Sequence, residues 1–198
     1  MRVLKTRIGI LDVQGAISEH VHHVDSVDCA VASRIKCADD LESVDGLIIP
    51  GGESTSISKL MKKFGLYEPV RDKILAGMPV LGTCAGLILL ANRIEGQEEA
   101  HLGIMDIVVN RNSFGRQRES FEADLMIDGL GEVPFPSVFI RAPHIVEVGP
   151  GVQILASYGE RVVAARQGSC LVTAFHPELT ADLRIHEWFV RIVQKEIS

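Results

Sequence analysis

Gly82-Thr83-Cys84-Ala85-Gly86 places a thiol between two glycines, where an apolar run meets a helical one. A nucleophile on a strand-to-helix turn needs tight backbone geometry, and small residues on both sides permit it. At a helix start the dipole and the free N–H groups favour thiolate over thiol, and the same N–H groups can stabilise an oxyanion. A lone cysteine is usually a small packing residue. The Gly-x-Cys-x-Gly spacing makes Cys84 a candidate nucleophile instead. His176-Pro177-Glu178 follows a second apolar run, Leu171 to Phe175. A histidine at the C-terminal end of a strand faces the crevice above a sheet. Glu178 can accept from one imidazole nitrogen and set the tautomer, leaving the other nitrogen to face a thiol. A Cys–His–Glu triad attacks an acyl or amide carbon and releases an amine or ammonia.

Pro50-Gly51-Gly52-Glu53-Ser54-Thr55 supplies a third part. Two glycines directly after a buried strand let the backbone approach a ligand and aim an N–H at it. That ligand is a developing oxyanion or a phosphate, although the Lys-Ser/Thr signature of a P-loop is missing. His144 is the competing histidine, but no acid stands two residues beyond it. His20, His22 and His23 raise the question of a metal; at i, i+2 and i+3 on a helix they do not converge on one ion.

Positioning these groups requires a sheet with its strand ends side by side. Ile8–Val13, Cys29–Ile35, Gly46–Ile49 and Pro79–Gly82 read as short buried strands. Between them run helical segments: one capped by Ser18 and reaching about Val27, one from about Ser56 to Gly65, one through Val70 and Ile74 to Gly77, and one over Ala85–Arg93. Strands separated by helices imply a parallel sheet with crossovers. The second half differs. Segments 107–109, 123–127, 138–140, 145–148, 154–158, 162–165 and 171–175 are strand candidates with little helix between them, which suggests antiparallel hairpins added to the sheet, one turning at Gly159-Glu160. Ala181 to about Glu196 closes the chain as a helix.

Composition narrows the class further. The 198 residues carry 20 basic and 26 acidic side chains, a formal net charge of −6, which argues against nucleic acid or a membrane surface as partner. Aromatic residues are 5% of the chain, so there are few platforms for stacking bases. The length and a 46% apolar content fit a single globular domain over residues 1–198. Cys29, Cys37, Cys84 and Cys170 show no CxxC spacing, and no signal-peptide core or spanning run is present. A reducing, cytoplasmic location is the expectation.

The elbow, the His-Pro-Glu element and the Pro50–Thr55 loop together resemble class I (triad) glutamine amidotransferases. Further segments resemble one branch, the glutaminase subunits of pyridoxal 5′-phosphate synthases: Asp12–Ala16, Arg111–Gln117 (R-N-S-F-G-R-Q), Phe121–Asp124, Phe139–His144 (F-I-R-A-P-H) and Phe175–Thr180. The similarity runs from about Ile8 to Phe189. It implies a three-layer, flavodoxin-like α/β fold whose central sheet is mostly parallel, with antiparallel additions in the second half. It also implies that Cys84 is the nucleophile, His176 the base and then the acid, and Glu178 its orienting partner. The N–H groups of Gly52 and Ala85 would form the oxyanion hole. Glutamine would be held by Gly52, Glu53, Ser54, Arg111, Ile140 and Arg141; guanidinium groups suit an α-carboxylate. Gln14 would couple the loop to partner docking. The ammonia would pass to a separate synthase subunit that builds pyridoxal 5′-phosphate from a pentose phosphate and a triose phosphate. Activity would be weak until that subunit docks. Thiol-based acyl transfer needs no metal or organic cofactor. Two alternatives stand beside this reading: a glutaminase subunit of another biosynthetic pathway, and a non-enzymatic redox or stress module in which Cys84 senses oxidants.

Overall fold

A computed structural model describes residues 5–111 and 120–197. Twelve strands are found among them: β1 (Thr6–Leu11), β2 (Ala30–Ile35), β3 (Gly46–Ile49), β4 (Val80–Thr83), β5 (Ala91–Ile94), β6 (Met105–Asn110), β7 (Ser120–Leu125), β8 (Phe135–Ile140), β9 (His144–Val148), β10 (Gln153–Tyr158), β11 (Arg161–Gln167) and β12 (Cys170–Thr173). The helices are α1 (Ile17–Asp25), α2 (Ser54–Lys63), α3 (Tyr67–Leu75), α4 (Ala85–Leu90) and α5 (Arg184–Glu196). Short 3₁₀ turns cover Ala38–Ser43 and Pro177–Leu179.

The main sheet runs β2-β1-β3-β4-β12-β11-β9-β6-β5, with β10 also paired to β11. Pairing is parallel from β2 through β12 and antiparallel around β11 and β9, so the expected division between the two halves holds. Every residue of β3, β4 and β12 is buried, because helices cover both faces of this part of the sheet. α1 and α5 pack on each other and on β1, while α2 packs on α3 and α4, and α4 lies on β4. One continuous apolar core links β1 to α5.

Three expectations are corrected. The helix expected over Ala85–Arg93 ends at Leu90, and Ala91–Ile94 pairs in parallel with β6 as an extra strand. Ser18 does not cap α1. The cap is Ala16, without a side-chain bond, and Ser18 instead accepts from Arg34. β7 and β8 form a separate two-stranded sheet rather than extending the main one. The turn at Gly159-Glu160 does join an antiparallel hairpin, β10 to β11.

The strand order determines where chemistry can sit. From β1 the chain goes to one side for β2 and to the other for β3, which makes a topological switch point. The C-terminal ends of β1, β3, β4 and β12 are therefore neighbours. They lead respectively to Gln14, Gly51-Gly52, Cys84 and His176.

Candidate active site

Cys84 joins β4 to α4 with φ +49°, a left-handed conformation that a side chain rarely adopts. The strain is held by packing on both sides of the elbow. At Gly86 a Cβ would lie 2.2 Å from the Ile49 carbonyl oxygen, so glycine lets α4 rest directly on β3. Gly86→Ala is therefore expected to destabilise the protein. Alanine's intrinsic advantage in a helix is about 1 kcal/mol, whereas forcing backbone apart in a packed core costs about 1–3 kcal/mol or more. The displaced elbow should also lower any turnover at Cys84 about a hundredfold. A thermal melt beside an activity assay checks both, and an unchanged melting temperature would refute the packing argument.

The nucleophile candidate is 6% exposed, and its Sγ lies 3.8 Å from the carbonyl oxygen of Ile140 at the end of β8. His176 follows β12 after two more buried residues, and its N–H donates to the Val138 carbonyl (2.8 Å), which ties it to β8. Pro177 then starts a 3₁₀ turn that brings Glu178 back under the ring. His176 Nδ1–H donates to Glu178 Oε1 at 2.7 Å, and both side chains are buried. Burial pushes the His176 pKa down, but contacts with the Cys84 and Glu178 side chains outweigh it and raise the value to about 10. A Cβ on Gly51 would lie 2.4 Å from His176 Cε1 and 3.4 Å from Cys84 Cβ, so the loop after β3 packs against both. The three residues singled out from sequence thus come together, beyond the ends of the adjacent strands β4 and β12. His144 does not join them; it sits on β9 opposite Asn110 of β6.

The loop residues are also brought close. The Gly51 carbonyl accepts from Ala16 N–H (3.4 Å), and Gln14 Oε1 accepts from Glu53 N–H (3.0 Å), which links the loops after β1 and β3. Glu53 caps α2, accepting from the N–H groups of Thr55 and Ser56, and its Oε1 also takes Arg111 Nη2 at 2.9 Å. Partial burial would raise the Glu53 pKa, yet the bonds from Ser56 and Thr55 bring it down to about 2. Ser54 begins α2 with a buried hydroxyl that has no hydrogen-bond partner among the described residues. Arg141 is exposed at φ +44°, next to Ile140. Of the Arg111–Gln117 segment, residues 112–117 lie outside the described residues.

Sequence reasoning missed what stands behind Glu178. His20, a metal-ligand candidate on sequence grounds, reaches Glu178 Oε2 at 3.5 Å and Thr83 Oγ1 at 3.2 Å. His186 of α5 bonds His20 on one side and His23 on the other, and His22 faces solvent. The sequence placed His20 and His23 on one helix, but nothing in it pointed to His186 as their partner. Among the described residues no cluster of His, Cys, Asp and Glu forms a metal site, and no helix is long and apolar enough to cross a membrane.

A thiol on a strained elbow, beside a buried His–Glu pair at the next strand end, is the hallmark of the triad, or class I, glutamine amidotransferases. Solved structures of that fold superpose well. A crystal structure of a glutamine amidotransferase matches with a TM-score of 0.89 and 43% identity, covering 94% of this chain and 98% of that one. A putative GMP synthase protein from Thermoplasma acidophilum, 17% identical, matches in fold with a TM-score of 0.70 over 98% of this chain and 96% of its own. The family model described as the SNO glutamine amidotransferase family matches residues 10–195, and the chain belongs to that family. It is 55% identical over 189 residues to the pyridoxal 5′-phosphate synthase subunit PdxT of Geobacillus kaustophilus, covering 96% of this chain and 95% of that relative.

Proposed function

We propose that this protein hydrolyses L-glutamine to glutamate and ammonia, and hands the ammonia to the synthase subunit of a pyridoxal 5′-phosphate synthase. The observation that carries the reading is the Cys84–His176–Glu178 arrangement at adjoining strand ends, in a chain so similar to PdxT. Cys84, as thiolate with its proton on His176, attacks the carboxamide carbon. The N–H groups of Gly52 and Ala85 receive the oxyanion. His176 then protonates the departing nitrogen, ammonia leaves and a γ-glutamyl thioester remains on Cys84. Water, losing a proton to His176, attacks the thioester; glutamate leaves and the thiolate is restored. Glu178 keeps the His176 ring oriented throughout.

Glutamine is held by Gly52, Glu53, Ser54, Arg111, Ile140 and Arg141, with arginine facing the α-carboxylate and Glu53 suited to the α-ammonium. Gln14, through its bond to Glu53 N–H, couples the first loop to the oxyanion loop when the partner docks. Residues 1–198 act as a single glutamine amidotransferase domain, a reading supported by the continuous core. The four unpaired cysteines fit a reducing cytoplasm. The test is glutamate and ammonia release from glutamine by this chain, first in isolation and then in complex with the synthase subunit. Release is expected to be weak in isolation and to rise sharply in the complex. Absence of hydrolysis in both mixtures, or co-purification with a synthase of another pathway, would overturn the proposal.

A further inference from the structure

The catalytic carboxylate is only half used by the triad. Oε1 of Glu178 receives His176, while Oε2 is buried and has no hydrogen-bond partner within ordinary reach among the described residues. A carboxylate oxygen left bare in a buried place is costly. A line of three imidazoles approaches it. His20 Nε2 stands 3.5 Å from Oε2, and its Nδ1 is 2.9 Å from His186 Nε2; His186 Nδ1 is in turn 3.2 Å from His23 Nδ1. His186 uses opposite nitrogens for its two neighbours, so the rings form a chain rather than a cup around one point.

A neutral imidazole has one donor and one acceptor nitrogen. Each of the two nitrogen–nitrogen contacts needs one hydrogen, so the line has two consistent directions. In one, His23 donates to His186, His186 to His20, and His20 Nε2–H points at Glu178. In the other, every bond is reversed, and a bare nitrogen of His20 faces the carboxylate. The charge of Glu178 favours the first direction, because only that one gives Oε2 a donor. We propose that His20, linked through His186 to His23, is a positioning residue of the triad that donates to Glu178 Oε2 and so holds Oε1 in line with His176.

The surroundings agree. Burial, together with the neighbouring His186, His23 and His176, pushes the His20 pKa well down, and burial beside His23 takes His186 to about 3, so both rings are neutral links. His23 sits at the outer end. On balance its pKa is lowered: burial has the largest effect, the Thr180 backbone, Glu178 and Asp182 act against it, and exposed His22 adds to it, so His23 too is a neutral link. Thr83 Oγ1, from the strand that leads into Cys84, lies 3.2 Å from the same His20 Nε2, so this N–H is shared between the Thr83 hydroxyl and Glu178 Oε2.

This inference rests on the glutaminase reading, and its tests separate the two. In the wild-type protein, ¹⁵N NMR of histidine-labelled protein is expected to show His20 as the Nε2–H tautomer; an Nδ1–H tautomer would overturn the proposal, whether or not glutamine is a substrate. In the complex with the synthase subunit, His20→Leu is expected to lower kcat about tenfold to a hundredfold with KM little changed, and to move the alkaline limb of the kcat profile. His20→Gln, which can return an N–H to Glu178, should recover most of kcat and restore the limb. Equal losses in both variants, or an unchanged profile in His20→Leu, would refute a positioning role. If wild-type protein is itself inactive, the glutaminase reading fails while the tautomer still decides this one.

Discussion

Cys84→Ala is expected to reduce ammonia release from glutamine by about 10⁴-fold or more, measured with the synthase subunit present. The substitution removes the sulfur that the proposed mechanism places in the thioester, and leaves the elbow otherwise intact. Cysteine and alanine meet the same strain at φ +49°, and the Sγ contact with the Ile140 carbonyl is long and weak. Stability should therefore change by less than about 1 kcal/mol, so lost activity will not reflect lost fold. A glutamine-like electrophile should add its mass to the wild-type protein at Cys84 and leave the variant unmodified. Cys170 serves as an internal control: burial lifts its thiol to about 11 and leaves it unreactive at neutral pH. Retained hydrolysis in Cys84→Ala would remove this residue from the mechanism altogether.

Glu178→Gln has the next largest expected effect, a fall in kcat of about 10²–10⁴-fold. The amide keeps the volume but loses the charge that steadies the imidazolium, and it can present an N–H to His176 in place of an acceptor. The pH dependence follows in sign. Although burial alone would lower the His176 pKa, the Cys84 and Glu178 side chains raise it to about 10. Removing the carboxylate lowers it, so the alkaline limb of activity should move to lower pH. A raised folded-state value also stabilises the fold below the ordinary histidine range, near pH 6.5. That contribution is lost as pH rises from there through about 10, and the loss should be smaller in the variant. Denaturant melts at pH 6 and pH 10 measure it. A thiol that served only to sense oxidants would have no use for the pair, so Glu178→Gln with undiminished function would favour that alternative over glutamine hydrolysis.

Local chemistry was legible wherever one short segment carries it. Gly82–Gly86 and His176–Glu178 were readable because an elbow and an i, i+2 pair are settled within a few residues. The parallel first half was readable because buried strands alternate with amphipathic helices. The second half was harder: apart from the hairpin at Gly159-Glu160, strands were found but their partners were not, since pairing there joins segments remote in sequence, as when β12 runs beside β4. Ala91–Arg93 reads as helix from sequence because Leu89, Leu90 and Ala91 continue one apolar run, and only the neighbouring β6 makes Ala91–Ile94 a strand. Glu53 reads as a substrate ligand; its bonds to α2 and Arg111 emerge from the fold.

By itself, the sequence determined the candidate nucleophile, its base and its acid, because each lies in a motif whose geometry is local. It also determined the class of chemistry, because a cysteine elbow with a His–Glu pair does acyl transfer. Tertiary structure decided what surrounds them. It placed four strand ends side by side, seated Arg111 on Glu53, and brought His186 on the last helix against His20 and His23 on the first. Residues 166 apart in the chain meet there because α1 and α5 pack together, and burial that excludes water obliges the three rings to satisfy one another.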